Sequence, residues 1–364
     1  MSSANGTIVP LDGLRGLGAL LVVTAHVNLA WLPGVHIWMD VFFVLSAYFI
    51  TLGLLKVRTR LGRLPLFDFY KRRLLRLYPA LLVVVFGYLL LAFLLLPGMY
   101  KAHWWDGLST LLYFSNVTKL YNYHFPHYFG QTWSLAVEEH FYLLWPLFMI
   151  ITVKLAGVRH HYWLWLVALL LLEGWRVYLF QTDVPWSRLY YATDMRFDAF
   201  IIGGLLACVQ PFFLRLSDQH YLYRIGNFCC LMFLLSFAWV RPEEREYFLW
   251  QQPLVLITIV GLIAVLSHPA EHWLKRVLSL SFFVWCGVRC YGIYLIHWPM
   301  LWLLKSQTAL PAWQTLLLVL PLTLLLAGLM YRYVERPILQ GRAQPALPRQ
   351  PCLGFASVGR PLKL

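Results

Sequence analysis

The sequence predicts an all-α, polytopic integral membrane protein built as a bundle of about ten transmembrane helices. Sixty per cent of its 364 residues are hydrophobic and only 13% are charged, a composition foreign to soluble globular chains. Apolar segments of roughly 20 residues recur, and each is long enough to cross a bilayer as a helix. The ten predicted spans are residues 11–32, 36–55, 77–97, 133–154, 162–180, 196–214, 225–240, 252–268, 281–304 and 313–334. The seventh and eighth are short, so nine or eleven crossings also fit the pattern.

The distribution of positive charge predicts the orientation of the bundle. Eight Lys and Arg residues lie between residues 56 and 76, and cytoplasmic loops carry an excess of these residues. With ten crossings, both termini are then cytoplasmic, and the segment 98–132 is outside. We divide the chain into a membrane-embedded domain, 1–338, and a basic cytoplasmic tail, 339–364, which we expect to be disordered because few of its residues are large and apolar.

Charge and cysteine content exclude several classes of partner. The net charge of +14 is mostly on the predicted inner face, where it suits a membrane surface or a phosphorylated cytosolic ligand. No basic stripe on a soluble module indicates nucleic-acid binding. The six cysteines show no zinc or redox spacing, and the histidines at 124, 127, 160 and 161 lack a third ligand, so we expect no metal. The sequence gives no oligomeric state.

The first predicted span, "LDGLRGLGALLVVTAH", carries Arg15 and His26. Eleven residues correspond to about three helical turns, so both side chains lie on one helix face, about 16 Å apart along the axis. Ionisable groups at this depth usually face the protein interior and serve a function. A neutral histidine hydrogen-bonded in the bundle and an arginine that anchors a helix end remain an alternative interpretation.

Counting residues from the helix ends places further polar groups at the depth of His26. We expect an outer-half cluster of carboxylates, imidazole and arginine, groups suited to acid–base chemistry near neutral pH: Asp40, Glu138, Glu139, Arg196, Asp198 and His297. Opposite them, "KRRLLRLYP" places Arg72, Arg73 and Arg76 at the inner end of the third span. Arg73 and Arg76 share a helix surface, and Arg suits bidentate phosphate binding. Positive-inside anchoring is the alternative interpretation for these arginines.

Seven motifs in order resemble the integral-membrane acyltransferase 3 family, which includes O-antigen, exopolysaccharide and macrolide O-acyltransferases. They cover about residues 8–338 and read "LDGLRGLGALLVVTAH", "MDVFFVLSAYFIT", "RRLLRLYPALL", "QTWSLAVEEHFYLLWPLF", "RFDAFIIGGLLA", "YGIYLIHWPML" and "YRYVERPI". Two departures are visible. Ser46-Ala47 stands where the family has Ser-Gly, and Trp38-Met39-Asp40 stands where it has Val-Gly-Val-Asp.

The resemblance implies roles for individual residues. It makes His26 catalytic and assigns Arg15, with Arg73 and Arg76 of the R-x-x-R motif, to the acyl-CoA donor. Its W-S-L-x-V-E-E motif corresponds to Trp133, Ser134, Glu138 and Glu139. The implied activity is O-acylation, expected to be acetylation, of a cell-surface or lipid-linked glycan in a bacterial inner membrane. Acyl-CoA is then a substrate, expected to be acetyl-CoA, and no cofactor is bound.

Acyl transfer to a hydroxyl needs a base for the hydroxyl proton and dipoles for the oxyanion. We assign the base to His26, with Glu138 as the first choice and Asp40 as the second for the carboxylate that orients its ring. An acyl-histidine intermediate is equally compatible with the sequence. Residues that we expect to support the site are Ser46, Ser134, Glu139, Tyr142, Arg196, Asp198 and His297. A secondary transporter or flippase, or a catalytically silent membrane binding protein, is the alternative function.

Overall fold

A computed structural model describes residues 8–96, 100–122, 125–215, 218–241 and 244–340. Helices account for nearly all of these residues. Residues 341–364, which form nearly all of the predicted tail, and His124 lie outside the described residues, so the predicted tail stays a prediction.

The first seven helices in chain order are α1 Val9–Val27, α2 Ile37–Leu61, α3 Leu66–Leu95, α4 Tyr100–Leu111, α5 Ser115–Tyr121, α6 Trp133–Gln181 and α7 Trp186–Tyr191. The remaining helices are α8 Phe197–Phe213, α9 Gln219–Trp239, α10 Gln252–Ser267, α11 Trp273–Leu278, α12 Ser281–Val288, α13 Cys290–Gln307, α14 Ala312–Met330 and α15 Arg336–Gln340. A π-helical stretch, Tyr247–Gln251, directly precedes α10, and a second one, Tyr331–Glu335, directly precedes α15.

The predicted fold class is confirmed: the chain is a multi-pass membrane helix bundle. Eight helical segments of the described residues are long and apolar enough to cross a membrane. All ten predicted spans are helical, but the first and the ninth are not among these eight. The first, α1, carries Asp12, Arg15 and His26. The ninth is interrupted at Arg289, where α12 ends and α13 begins.

Helix α6 contains two of the predicted spans, joined at Gly157. This glycine has φ 73° and ψ 171° inside an otherwise helical stretch. A side chain at positive φ is strained, whereas glycine adopts that backbone freely. The two apolar segments Gly130–Gly157 and His160–Gln181 can therefore each cross the membrane separately.

Small residues bring the central helices into close contact. A Cβ added at Gly13 or Gly16 of α1 would overlap backbone atoms of Leu278 or Phe283, and one at Gly287 of α12 would overlap the backbone of Asp12. Because backbone meets backbone here, α1 is held tightly against α11 and α12. Its neighbours therefore fix the position of the helix that carries Arg15 and His26.

Helix α2 is buried against α8, and this contact accounts for one departure from the family pattern. Ala47 is fully buried, and a Cβ added at Gly203 of α8 would lie 2.9 Å from the Cβ of Ala47. The small residue that this interface needs is therefore supplied by α8. Ala47 packs between helices and is not among the residues that line the cavity between α1, α2, α3, α6 and α13.

The segment between α3 and α6, predicted as a long outer loop, contains α4 and α5 and is anchored by one buried carboxylate. Asp106 accepts hydrogen bonds from the backbone N–H groups of His127 and Tyr128 at 2.7 and 2.6 Å. Burial raises the pKa of Asp106 to about 6, against the effect of these two donors. Burial likewise lowers the pKa of Lys119 on α5 to about 8. Both groups therefore titrate closer to neutral pH than in water.

Candidate active site

A cavity of about 240 Å³ opens between α1, α2, α3, α6 and α13, and we call it the arginine cavity. Its polar lining comes from groups of both charges and from hydroxyls: Asp12, Arg15, Arg73, Arg76, Ser134, Glu138, Tyr142, Tyr291, Tyr294, Tyr331 and Glu335. Apolar walls include Met39, Phe42 and Phe43 of α2. Two of the three predicted donor-binding arginines come from α3 and the third from α1, and the structure brings all three to one space.

The arginines of this cavity have unused hydrogen-bonding capacity. The Nε atoms of Arg15 and Arg73 are buried and have no hydrogen-bond partner among the described residues. Within the same residues, no carboxylate lies within 4.0 Å of either guanidinium. Arg73 stacks over the ring of Tyr142, with its Cζ 3.4 Å from the ring centroid, and Arg15 is 5.5 Å from the ring of Phe49. Aromatic faces hold these cations while leaving donors available to an anionic ligand.

Glu138 lies in the arginine cavity, close to Tyr142 and Ser46 and within electrostatic range of Arg73 and Arg15. The hydroxyls of Ser46 and Tyr142 are hydrogen-bonded to each other at 2.5 Å. Ser46 on α2 and Tyr142 on α6, two predicted supporting residues, thus link the two helices beside Glu138. Its charge offsets part of the positive charge that the two arginines place in the cavity.

Tyr294 forms the wall between the cavity and the predicted catalytic histidine. Its hydroxyl donates to the backbone carbonyl of Gln131 at 2.6 Å and is hydrogen-bonded to the hydroxyl of Ser134 at 2.7 Å. The same tyrosine ring lies 5.5 Å from the ring of His297 on α13. Ser134 therefore holds Tyr294 in the cavity wall, and the imidazole of His297 lies directly behind that wall.

His26 and His297 form a hydrogen-bonded pair behind this wall. The Nδ1 atom of His26 is 2.9 Å from the Nε2 atom of His297. His297 is completely buried, whereas His26 is half-buried. The edge of Trp298 packs against His26 at 4.6 Å between ring centroids. His26 lies seven residues beyond Ala19, a residue of the cavity lining, which corresponds to about 10 Å along α1.

A separate group of charged side chains, which we call the ion-pair network, consists of Asp40, Arg196, Asp198, Arg176 and Glu173. Arg196 donates to Asp40 at 3.2 Å, and Arg176 donates to Asp198 at 2.6 Å and to Glu173 at 2.9 Å. Asp40 also accepts hydrogen bonds from Tyr247 at 2.7 Å and from Gln252 at 3.3 Å. Every charge of the network lies beside an opposite charge, and four of the five side chains are at most 2% exposed. The network joins α2, α6, α8 and α10.

The structure divides the predicted outer-half cluster into three places. Asp40, Arg196 and Asp198 belong to the ion-pair network, His297 pairs with His26, and Glu138 faces the arginines. This arrangement corrects the expectation that a carboxylate orients His26. The hydrogen-bond partner of His26 is the imidazole of His297, and neither Glu138 nor Asp40 hydrogen-bonds to His26. Counting residues along a helix gives depth but not direction, and groups at equal depth can point to different faces.

Several residues of the site were missed from the sequence. Tyr294 lies three positions before His297 and Asp12 three before Arg15, so helical spacing contained a signal for both. Glu335 lies in the matched "YRYVERPI" motif, and its Oε1 atom is buried in the cavity wall without a hydrogen-bond partner among the described residues. Glu139 is absent from the lining. Across the described part of the chain, no group of three His, Cys, Asp or Glu residues is arranged to hold a metal ion.

Fold and site together define a multi-pass membrane protein with an arginine-lined cavity beside an imidazole pair. Residues 8–332 match the family model described as an acyltransferase domain, and the chain belongs to this acyltransferase 3 family. No solved structure matches the chain.

Several bacterial O-acetyltransferases are similar to this chain. The chain is 34% identical over 349 residues to the peptidoglycan O-acetyltransferase OatA of Listeria monocytogenes, covering 90% of this chain and 55% of the relative. It is 32% identical to the putative peptidoglycan O-acetyltransferase YrhL of Bacillus subtilis, covering 90% and 54%. A putative O-acetyltransferase of Staphylococcus aureus is 29% identical over 345 residues, covering 90% and 56%. The chain thus spans about half the length of these relatives.

Proposed function

We propose that the chain is a membrane-bound O-acetyltransferase that transfers an acetyl group from cytoplasmic acetyl-CoA to a hydroxyl of a cell-wall glycan, with peptidoglycan as the first acceptor to test. The observation that carries the proposal is the arginine cavity lying next to the His26–His297 pair. Membership of an acyltransferase family supports the reaction class, and the names of the relatives suggest both the acetyl group and the glycan.

The donor fits the cavity by charge and by length. Coenzyme A carries several phosphates, and Arg15, Arg73 and Arg76 present guanidinium groups that suit them. The basic segment before α3 places these arginines at the cytoplasmic end in the proposed orientation. From Arg15 to His26 the helix spans about 16 Å, a distance that an extended pantetheine arm covers. The phosphates then stay at the arginines while the pantetheine arm extends towards Tyr294, which must move aside for the thioester to reach the imidazole behind it.

His26 acts as the general base in the proposed reaction. Its imidazole accepts the proton of the acceptor hydroxyl while the hydroxyl oxygen attacks the thioester carbonyl carbon. The tetrahedral intermediate collapses by breaking the carbon–sulfur bond, and the imidazolium returns its proton to the departing CoA thiolate. The products are an acetyl ester and free CoA, and the histidine ends in its starting state.

Glu138 and Asp40, the carboxylates first assigned to orient His26, take other roles in this proposal. Glu138 balances charge among the donor-binding arginines, and Ser46 and Tyr142 hold it in place. Asp40 neutralises Arg196 within the ion-pair network and contributes to folding. Orientation of the base falls to His297.

The test is transfer from radiolabelled acetyl-CoA to soluble peptidoglycan fragments by the purified protein in proteoliposomes. Wild-type protein should produce an alkali-labile ester, and His26→Ala should lower the rate by about 100-fold or more. His161→Ala, which changes a buried histidine outside the cavity, is the matched control and should retain activity.

Three outcomes would overturn the proposal. Unchanged turnover in His26→Ala excludes His26 as the base. Accumulation of intact labelled acetyl-CoA inside the vesicles, without ester formation, indicates the transporter alternative. Binding of acetyl-CoA with neither ester nor transport indicates the silent binding protein.

A further inference from the structure

The two imidazole rings of the His26–His297 pair lie side by side in nearly one plane. Their planes differ by 4° and their centroids are 5.1 Å apart, while the nearest nitrogen atoms are separated by 2.9 Å. Rings stacked face to face would not bring an edge nitrogen of one so close to an edge nitrogen of the other at this centroid distance. Since an imidazole lone pair and its N–H both lie in the ring plane, the arrangement has good hydrogen-bond geometry.

The second nitrogen of His297 determines which ring donates. Its Nδ1 atom is 3.1 Å from the backbone carbonyl oxygen of Ile293, one turn earlier in α13. A carbonyl oxygen only accepts, so Nδ1 of His297 carries the proton. A neutral imidazole has one proton, and Nε2 of His297 is therefore an acceptor. The opposite tautomer would place two lone pairs against each other, at Nδ1 and at the carbonyl.

A charged His297 ring is disfavoured by its surroundings. The side chain is completely buried, and the rings packed beside it are those of Tyr294, His26 and Trp298. No salt bridge of the described residues involves it. Burying an unpaired charge is costly, whereas the neutral ring satisfies both of its nitrogens through Ile293 and His26.

We propose that His297 is a positioning residue that fixes His26 in the tautomer with Nδ1 protonated and Nε2 free to act as the base. His26 donates its Nδ1–H to Nε2 of His297, so its remaining lone pair is on Nε2. This inference rests on the proposed function, in which His26 takes the hydroxyl proton. It adds the atom that takes the proton and the residue that selects this atom.

The pair performs a full catalytic cycle without moving its own hydrogen bond. Nε2 of His26 accepts the acceptor proton as the new carbon–oxygen bond forms. The resulting imidazolium donates from Nδ1 to His297, and this bond is then charge-assisted and stronger. The proton on Nε2 leaves with the CoA sulfur, and the pair returns to its neutral state. A neutral imidazole thus does the orienting that a carboxylate does in other acid–base pairs.

Two amides of different length at position 297 separate orientation from folding. The amide of His297→Gln reaches the place of Nε2 and offers its oxygen to His26. The shorter amide of His297→Asn reaches the place of Nδ1, where it satisfies Ile293 and leaves His26 without an acceptor. Both substitutions are polar but Asn is one methylene shorter, so loss of packing in His297→Asn is read from its size-exclusion profile, and loss of orientation from a lower kcat at unchanged KM.

In the proteoliposome assay with acetyl-CoA, we expect His297→Gln to keep kcat within about threefold of wild type. We expect His297→Asn to lower kcat by about tenfold or more, with the KM for acetyl-CoA unchanged within about twofold. Size-exclusion profiles of the detergent-solubilised variants report folding. If His297→Gln does not fold, the comparison of kcat and KM between His297→Asn and wild type still tests the inference.

The tautomer itself is read by ¹⁵N NMR of histidine-labelled protein. Signals lost in His26→Gln identify His26, and they should show a protonated Nδ1 and an unprotonated Nε2 in wild type. The same pattern should persist in His297→Gln and change in His297→Asn. Equal kcat in the two position-297 variants, or a protonated Nε2 on His26 in wild type, overturns the inference.

Failure of the inference is distinguishable from failure of the proposed function. A wild-type protein that forms no ester, or a His26→Ala variant that retains full activity, contradicts the function. An active wild type, an inactive His26→Ala and equally active Gln and Asn variants at position 297 leave the function intact and remove the role of His297.

Discussion

Two groups of charged residues within one membrane bundle differ in how their charges are satisfied. In the ion-pair network each charge lies beside an opposite charge, and Asp40 is also hydrogen-bonded by Tyr247 and Gln252. In the arginine cavity, no carboxylate of the described residues lies within 4.0 Å of Arg15 or Arg73, and their guanidinium groups contact aromatic faces. An ionisable group in a transmembrane bundle is therefore not by itself evidence of a functional site.

The difference teaches how to sort intramembrane charges. A charge neutralised by its own fold stabilises the arrangement of helices, and removing its partner leaves an uncompensated ion. A charge that faces a cavity with unused donors is available to a ligand. Variants of the network should therefore lose stability, and variants of the cavity should lose substrate binding.

Breaking the network should give the largest effect. Asp40→Ala leaves the buried Arg196 without its carboxylate partner, and we expect a loss of about 3–5 kcal/mol of unfolding free energy. Denaturation of the detergent-solubilised protein measures it. Glu138→Gln in the cavity is the matched control and should change stability little. An Asp40→Ala variant that is stable but inactive would move Asp40 from the network to the reaction.

Asp106 tests a third kind of buried charge, one that accepts two backbone hydrogen bonds and lies within electrostatic range of Lys119. Its pKa is raised to about 6 by burial, so the folded state binds this proton more tightly than the unfolded state, and stability falls as pH rises from about 4 to 6. The contribution is about 3 kcal/mol. Unfolding curves at several pH values should show this decline in wild type and not in Asp106→Asn. Parallel pH profiles would contradict it.

Removing one cavity arginine should affect donor binding by a smaller amount. Arg73→Ala is expected to raise the KM for acetyl-CoA by about 10–100-fold, because a charge-assisted contact to phosphate is lost, while stability stays near wild type. Kinetics at varied acetyl-CoA concentration measure it. Arg72→Ala is the matched control, since this neighbouring arginine is not in the cavity lining. Equal effects of the two variants would reduce both arginines to anchors of the helix end.

A neutral hydrogen bond between helices should give the smallest effect. Trp145 donates its Nε1–H to the hydroxyl of Thr51 at 2.9 Å, and Thr51→Val removes that acceptor. We expect a loss of about 1–2 kcal/mol of unfolding free energy, with the KM for acetyl-CoA unchanged. Thr51→Ser keeps the hydroxyl and should be close to wild type. A loss as large as that of Asp40→Ala would erase the distinction between ionic and neutral contacts.

The spans and the arginines of the cavity were predictable because they depend on local pattern. Hydropathy located all ten helical segments, although it joined α12 and α13 across the break at Arg289. Arg15, Arg73 and Arg76 converge as expected, since they lie in the N-terminal halves of α1 and α3 and line one cavity. The family motifs identified the same residues independently.

The partner of His26 was not predictable, because it depends on how α13 is rotated relative to α1. Pro299 of α13 has no backbone N–H, and the side-chain amide of Gln131 donates to the carbonyl of Leu295 at 3.4 Å, where that N–H would bind in a regular helix. Contacts of this kind between distant segments set the rotation of a helix. A hydropathy pattern carries no information about them, so a carboxylate was assigned where an imidazole lies.

The glycine contacts of α1 with α11 and α12 have a mechanical consequence. Backbone against backbone leaves no room for α1 to slide or turn, so Arg15 and His26 keep their positions relative to α11 and α12. In the proposed reaction, we expect entry of the donor and exit of CoA to displace the opposite walls, which α3, α6 and the Tyr331–Glu335 stretch provide. Helix α1 is therefore the fixed element of the bundle, and the helices that face it are those we expect to move.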